Sequence, residues 1–202
     1  MYIPEHFAQH DWRLAKQLMR DYSFAQLITV ALDRAPCINH IPILYDESEH
    51  CLYFHLAAAN PDADGLFNSK ITAVFSGPQG YISPNWADQL IVPTWNYTAL
   101  HVQGQVSEVV GGEQKLSVMA QMVDYYEQVL QPSWGLDQLS KVQTEQMLAA
   151  IRCFKMPLEQ WFAKEKLSQN RSAQATRQIA QNLRVQNYPY QDNLALADLM
   201  LS

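Results

Sequence analysis

Six consecutive residues, Lys166-Leu167-Ser168-Gln169-Asn170-Arg171, put two cations and three hydrogen-bonding side chains into one short stretch. Such density suits a phosphate or ring oxygens, with the guanidinium able to bind in bidentate fashion. A solvated helix start capped by Ser172 explains the same segment equally well. Two further segments, Tyr81-Ile82-Ser83-Pro84-Asn85-Trp86 and Pro93-Thr94-Trp95-Asn96-Tyr97, concentrate aromatics with Ser, Thr and Asn on what read as turn-forming stretches. Aromatic bodies with polar tips fit a flat heteroaromatic ligand or an oligomer interface, and a self-packed loop stands at even weight beside these. His40, His55 and His101 each fall in a strand-like run. Without a His-x-His or His-Glu-x-x-His spacing, a structural or ligand-facing role outweighs metal ligation, and no metal is expected. There is no Gly-x-Ser-x-Gly elbow, and Cys37, Cys51 and Cys153 are widely spaced with no Cys-x-x-Cys pair, so no catalytic residue is assigned.

These residues need a scaffold. The chain has 202 residues, which fits one domain, or one domain with an appendage, and is enough for a real core. Its 14 basic against 20 acidic residues give a net charge of −6, which argues against a nucleic-acid surface built on net basicity. Apolar content of 48% with 17% charged residues argues against disorder. The N-terminus lacks a signal-peptide pattern and no run approaches the roughly 18 apolar residues of a membrane span, so the expectation is a soluble, cytoplasmic protein with no membrane partner. Three widely spaced cysteines read as reduced thiols.

Asp11 is a good N-cap for a short amphipathic helix carrying Trp12, Ala15, Leu18, Met19 and Tyr22. Runs rich in β-branched and aromatic residues at 24–32, 37–45, 51–56, 71–75 and roughly 98–109 read as antiparallel strands. Asn60-Pro61 predicts a helix start, with a short helix over 62–67. Apolar stripes predict helices around 116–130 and 139–151, and 153–158 reads as an edge strand because it contains Pro157. Ile179 and Leu183 mark a terminal helix that carries Arg177 and Arg184 on one face, and the last dozen residues read as a loosely attached tail. Many strands with short helical crossings favour a small closed or partly open β-barrel over a βαβ sheet.

Several strings together carry a family resemblance: Met1-Tyr2-Ile3-Pro4 with Phe7; His40-Ile41-Pro42; His55-Leu56-Ala57 with Ala59-Asn60-Pro61; Phe75-Ser76-Gly77-Pro78 with Tyr81-Ile82-Ser83-Pro84 and Trp86; Val92-Pro93-Thr94-Trp95-Asn96-Tyr97 with His101; and Lys166-Leu167-Ser168-Gln169-Asn170-Arg171. In order and spacing, over nearly the whole chain, they resemble the PaiB family of FMN-binding negative transcriptional regulators. The resemblance implies an α+β fold, a split β-barrel like that of pyridoxamine-phosphate oxidases with peripheral helices. It also implies a homodimer with FMN at the subunit interface. It suggests a split-barrel domain over 1–171 and a C-terminal helix and tail over 172–202. The implied cofactor contacts are Thr29, His55, Asn60, Trp95, Asn96, Lys166, Gln169, Asn170 and Arg171, gathered around one interfacial cleft. Two positions depart from the family pattern. Ala58 stands where a basic residue is usual, and Thr176-Arg177 stands where an Asp-Arg pair is usual. With a phosphate-facing cation missing, the expectation is weak FMN binding, or a phosphate held by Lys166, Arg171 and backbone N–H groups instead. The implied function is a homodimeric regulator, and the charge balance leaves DNA contact unsupported and a protein partner open. The alternative is a flavin-dependent oxidoreductase acting on a small molecule.

Overall fold

The computed structural model describes residues 1–30, 35–66, 69–88, 90–186 and 192–202. In chain order the elements are β1 (Ala8–Gln9), α1 (Trp12–Asp21), β2 (Phe24–Thr29), β3 (Cys37–Pro42), β4 (Leu44–Asp46), β5 (Cys51–Ala57), α2 (Asp62–Leu66), β6 (Lys70–Ile82), β7 (Thr94–Gln105), β8 (Ser107–Val109), α3 (Gly112–Glu127), α4 (Lys141–Ala149), β9 (Ile151–Pro157), β10 (Gln160–Lys166), α5 (Ala173–Val185) and α6 (Asn193–Leu201). Residues 31–32 of the first expected strand and residue 67 of the short helix lie outside the described residues. The chain forms two compact units that alternate along the sequence. The first comprises 1–22, 74–101 and 161–202, and the second 23–73 and 102–160.

In the first unit the strands lie in the order β1-β10-β7-β6. Strand alternation gives this sheet two chemically different faces. Ala163 and Glu165 alternate with Phe162, Lys164 and Lys166 on β10, and Asn96, Thr98 and Leu100 alternate with Trp95 and Tyr97 on β7. Helices cover the Asn96 side. Ser172 caps α5 by accepting from the Ala175 N–H at 3.1 Å, and α5 buries Ala175, Ile179, Ala180 and Leu183. The side chains of Leu196, Ala197 and Met200 on α6 join Ile82, Ile91 and Leu167 in the same apolar cluster. Helix α1 starts where Asp11 accepts from the Arg13 N–H at 2.8 Å and buries Ala15 and Met19.

In the second unit β2 pairs with β3 antiparallel, and a four-stranded sheet runs β4-β5-β9-β8. Helix α3 packs Val118 and Met122 onto Leu44, Cys51 and Tyr53 of that sheet. On the opposite face of β5, Phe54 stacks on Phe154 of β9 with centroids 5.5 Å apart. The tight approach of β7 to β9 depends on Gly104, where a Cβ would come 2.0 Å from the Pro157 carbonyl oxygen.

Four local expectations change. The run at 37–45 divides into β3 and β4, with buried Ile43 between them donating its N–H to the Ser23 carbonyl at 2.8 Å. The segment at 153–158 belongs to β9, which lies between β5 and β8 rather than at an edge; Pro157 is tolerated because it is the last residue of the strand. The second aromatic segment is strand from Thr94 onward. The last residues are a helix, α6, because Leu196, Ala197 and Met200 supply a buried stripe that a tail would leave in water.

Candidate functional site

The chemistry-bearing residues of the first unit converge on the face of the sheet opposite the helices. The Lys166 ammonium donates to the Thr94 hydroxyl and the Trp95 carbonyl and lies 5.9 Å from the centroid of the Phe7 ring. Two residues earlier on β10, Lys164 sits 5.2 Å from the Tyr97 ring centroid and donates to the Tyr2 carbonyl at 3.3 Å. The Trp95 side chain remains 44% exposed and meets Tyr81 edge-on at 6.2 Å. Burial, followed by the neighbouring charges of Lys164 and Arg171, pushes the Lys166 pKa below the ordinary lysine value. Among the described residues no carboxylate pairs with Lys166 or Arg171. A half-buried cation beside like charges, with no anion of its own, is relieved by a bound anion. The adjacent exposed indole adds a flat surface, so the arrangement fits a ligand that joins an anionic group to an aromatic ring.

Other expected site residues of this unit are structural supports in this geometry. Asn96 is fully buried; its amide donates to Ser168 Oγ at 2.9 Å and to Met200 Sδ at 3.4 Å. The Gln169 side chain closes the turn after β10: its carbonyl accepts from the Leu167 N–H at 2.7 Å, and its amide donates to the Glu165 carbonyl at 2.5 Å. Ser168, with φ of 66°, supplies the left-handed residue of that turn. The turn projects Asn170 into solvent and leaves Arg171 half-buried. Sequence reasoning missed Lys164 and Phe162 because 160–166 was not recognised as a strand. Period-two alternation of Phe162, Lys164 and Lys166 was the available signal.

The second unit holds Thr29, His55 and Asn60. Thr29 ends β2 opposite Cys37. Asn60 behaves as the helix-start signal requires: its side-chain oxygen accepts from the Asp62 N–H at 3.0 Å, while its amide donates to Asn39 at 3.1 Å. Asn39 and the Cys37 thiol in turn both reach the Asp62 carboxylate, at 2.9 and 2.7 Å, which pushes the thiol pKa up and keeps the sulfur protonated. His55, opposite Cys153 in the β5–β9 ladder, has a buried Nδ1 with no hydrogen-bond partner among the described residues. Burial lowers its pKa, so the imidazole is neutral near pH 7.

Ala58 follows β5 directly and is exposed, its N–H donating to the Ala150 carbonyl at 2.8 Å. Arg152, paired with Leu56 in the ladder, does not substitute for the missing cation. Its guanidinium is committed to Glu108 at 2.6 and 2.9 Å and to Asp64 at 2.7 Å. Arg184, one of the two basic residues on the face of α5, is similarly paired with Asp198.

Comparison with known proteins gives these arrangements a context. Residues 1–160 match the family described as "Putative FMN-binding domain". The chain is 28% identical over 200 residues to the Bacillus subtilis "Protease synthase and sporulation protein PAI 2", covering 96% of this chain and 95% of that protein. Among solved structures, the FAD and heme binding protein from Mycobacterium smegmatis superposes with a TM-score of 0.63 at 14% identity, over 79% of this chain and 73% of the other. The flavocytochrome Anf3 from Azotobacter vinelandii gives 0.61 at 13% identity, over 81% and 72% of the two chains. These two likenesses are of fold.

Proposed function

Since the chain belongs to the PaiB-type family of FMN-binding split-barrel proteins, we propose that it holds FMN against the Lys166–Trp95 face and acts, as a homodimer, to lower the expression of target genes. One observation carries the cofactor assignment: the half-buried Lys166 ammonium, flanked by Arg171 and an exposed indole, has no carboxylate partner among the described residues. In this reading Lys166 and Arg171 take the phosphate, Trp95 lies against the ring system, and Asn96 and Gln169 fix the turn that carries both cations. The exposed Asn170 amide is a further donor. In the second unit, taken by itself, the unpartnered Nδ1 of His55 supports a ligand-facing role, with Asn60 shaping the start of α2 and Thr29 the end of β2. Bound FMN supplies a flat heteroaromatic surface and an electron carrier; the chain's own groups bind and orient it.

The regulatory part of the proposal draws on the B. subtilis relative, whose name refers to protease synthesis and sporulation. The net charge of −6 and the pairing of Arg184 with Asp198 support action through a protein partner over direct contact with DNA phosphates. Dimerisation is supported by the apolar groups left exposed around the site, Trp95 and Phe162 at 44% and 40% exposure, which a second copy would cover.

The test combines sedimentation with flavin titration of the purified full chain. The expected result is a dimer at micromolar concentration that quenches FMN fluorescence, one flavin per subunit. A stable monomer, or a dimer indifferent to saturating FMN, overturns the assignment. Transcript profiles of cells lacking the gene, complemented with wild type or Lys166→Met, test the regulatory part: target transcripts should fall with wild type alone.

A further inference from the structure

The opposite face of β10 carries a different feature. Glu165, pointing away from Lys164 and Lys166, lines a cavity of about 360 Å³ within the first unit. Helix α1 buries Ala15 and Met19 in the core, yet directs a second stripe, Leu14, Leu18 and Tyr22, at this cavity. Helix α6 does the same, burying Leu196, Ala197 and Met200 while Ala195 and Leu199 face the cavity. Among the described residues two helices thus turn apolar stripes toward a common space, whose volume is at the small end of the range for ligand pockets, about 300 to 1,000 Å³.

The polar groups at the cavity define what it would accept. Thr98 lines it at 4% exposure, and its Oγ1 has no hydrogen-bond partner among the described residues. Gly77 allows that packing: a Cβ there would come 2.1 Å from Thr98 Oγ1 and 2.5 Å from Leu18 Cδ1. Among the described residues three side-chain carboxylates line the cavity, and an ion pair joins Asp198 to Arg184. Asp21 and Glu165, by contrast, each accept among the described residues from a neutral amide, Gln17 at 2.7 Å and Gln9 at 2.9 Å. Burial first, and then Asp192 and Asp21, push the Tyr22 phenol pKa up, so it stays a neutral donor.

We propose that this cavity is a binding site for a small amphiphilic amine, with an aromatic or branched-alkyl body between Leu14, Leu18 and Leu199 and an ammonium head toward Asp21 and Glu165. An anion of the same shape is excluded by the two uncompensated carboxylates. The Lys166 side chain lies on the other face of β10 from Glu165, while Arg171 lines a neighbouring cavity that shares Glu165, Leu199 and Ser202 with this one. For a regulator, such a pocket offers a place for an effector that differs chemically from the flavin.

The experiment uses the full-length protein with 2-phenylethylamine as probe and phenylacetate as its anionic counterpart, read by calorimetric titration and by thermal melting. Wild type should bind the amine and melt higher in its presence, with no response to phenylacetate. The double variant Asp21→Asn/Glu165→Gln should weaken amine binding by about tenfold or more. Ala195→Trp, placed at an exposed helix position so that folding is preserved, should fill the cavity and abolish it. Ala195→Trp should leave the FMN titration unchanged, so this proposal and the flavin assignment fail independently. No binding of the amine to wild type, equal binding of phenylacetate, or amine binding that survives Ala195→Trp overturns the inference.

Discussion

Replacing Lys166 by Met removes one positive charge from the proposed phosphate site while keeping a stem of similar length. FMN and riboflavin share the ring system and differ by a phosphate of nearly two negative charges, so comparing them separates the charge from everything else Lys166 does. The ammonium also donates to the Thr94 hydroxyl and the Trp95 carbonyl, and losing these bonds costs stability whatever the ligand. That cost, on the order of 1 kcal/mol, is read as a lower melting temperature of the flavin-free protein. The loss specific to FMN is larger. A hydrogen bond to a charged group contributes about 1.5 to 3 kcal/mol, equivalent to about ten- to a hundredfold in affinity. Because Lys166 is half-buried, solvent screens it less than a surface lysine and the upper half of that range applies. Fluorescence-quenching titrations of wild type and Lys166→Met with both flavins should therefore show FMN weakened by tens of fold and riboflavin by no more than a few fold. An equal loss for the two ligands, or none, would refute the placement of the phosphate at Lys166.

Three further outcomes are expected. Ala58→Arg, which restores the basic residue usual in the family where Arg152 is already held by Glu108 and Asp64, should tighten FMN severalfold and leave riboflavin unchanged in the same titrations; a change shared by both flavins, or none, would refute the expectation. His55 and His101 both have pKa values lowered by burial, so the unfolded chain takes up their protons first as pH falls. The stability they provide is complete above the unfolded value near 6.5 and is lost on acidification toward the lower folded values. Denaturant midpoints should fall between about pH 7 and 5, and His55→Gln should flatten that slope. Gly104→Ala should destabilise the fold by about 1 to 3 kcal/mol or more, because the added Cβ meets the fixed Pro157 carbonyl; an unchanged melting temperature would show that β7 and β9 can separate freely.

Parts of the fold whose local signals agree with their packing were legible in the sequence. Asp11 caps α1, Ser172 caps α5, and Asn60 starts α2, since a cap needs only a side-chain oxygen and the N–H groups two or three residues on. The strands β2 and β5 were found because they are dense in apolar and β-branched residues. By contrast, β10 carries Lys164, Glu165 and Lys166 within seven residues, and so much charge hides a strand from composition. The C-terminal helix was missed for a related reason: polar, Gln-rich sequence precedes it, and its burial depends on an apolar cluster assembled from β6, α5 and the turn after β10.

The candidate site shows the same division between chemistry and placement. The cation and hydrogen-bonding density of 166–171 was visible as side-chain types, but not which members face a ligand. Only the strand phase of β10 sends Lys164 and Lys166 to the aromatic face and Glu165 to the cavity behind it. A one-residue slip in β10 would exchange these assignments and place a carboxylate where the phosphate is proposed to bind. The Gln169 side chain, bonded to the Leu167 N–H and the Glu165 carbonyl, opposes that slip by fixing where the strand ends. In the proposed site Gln169 therefore acts through register rather than by contact. Its loss should weaken FMN more than riboflavin even though its own amide and carbonyl are both engaged by the backbone.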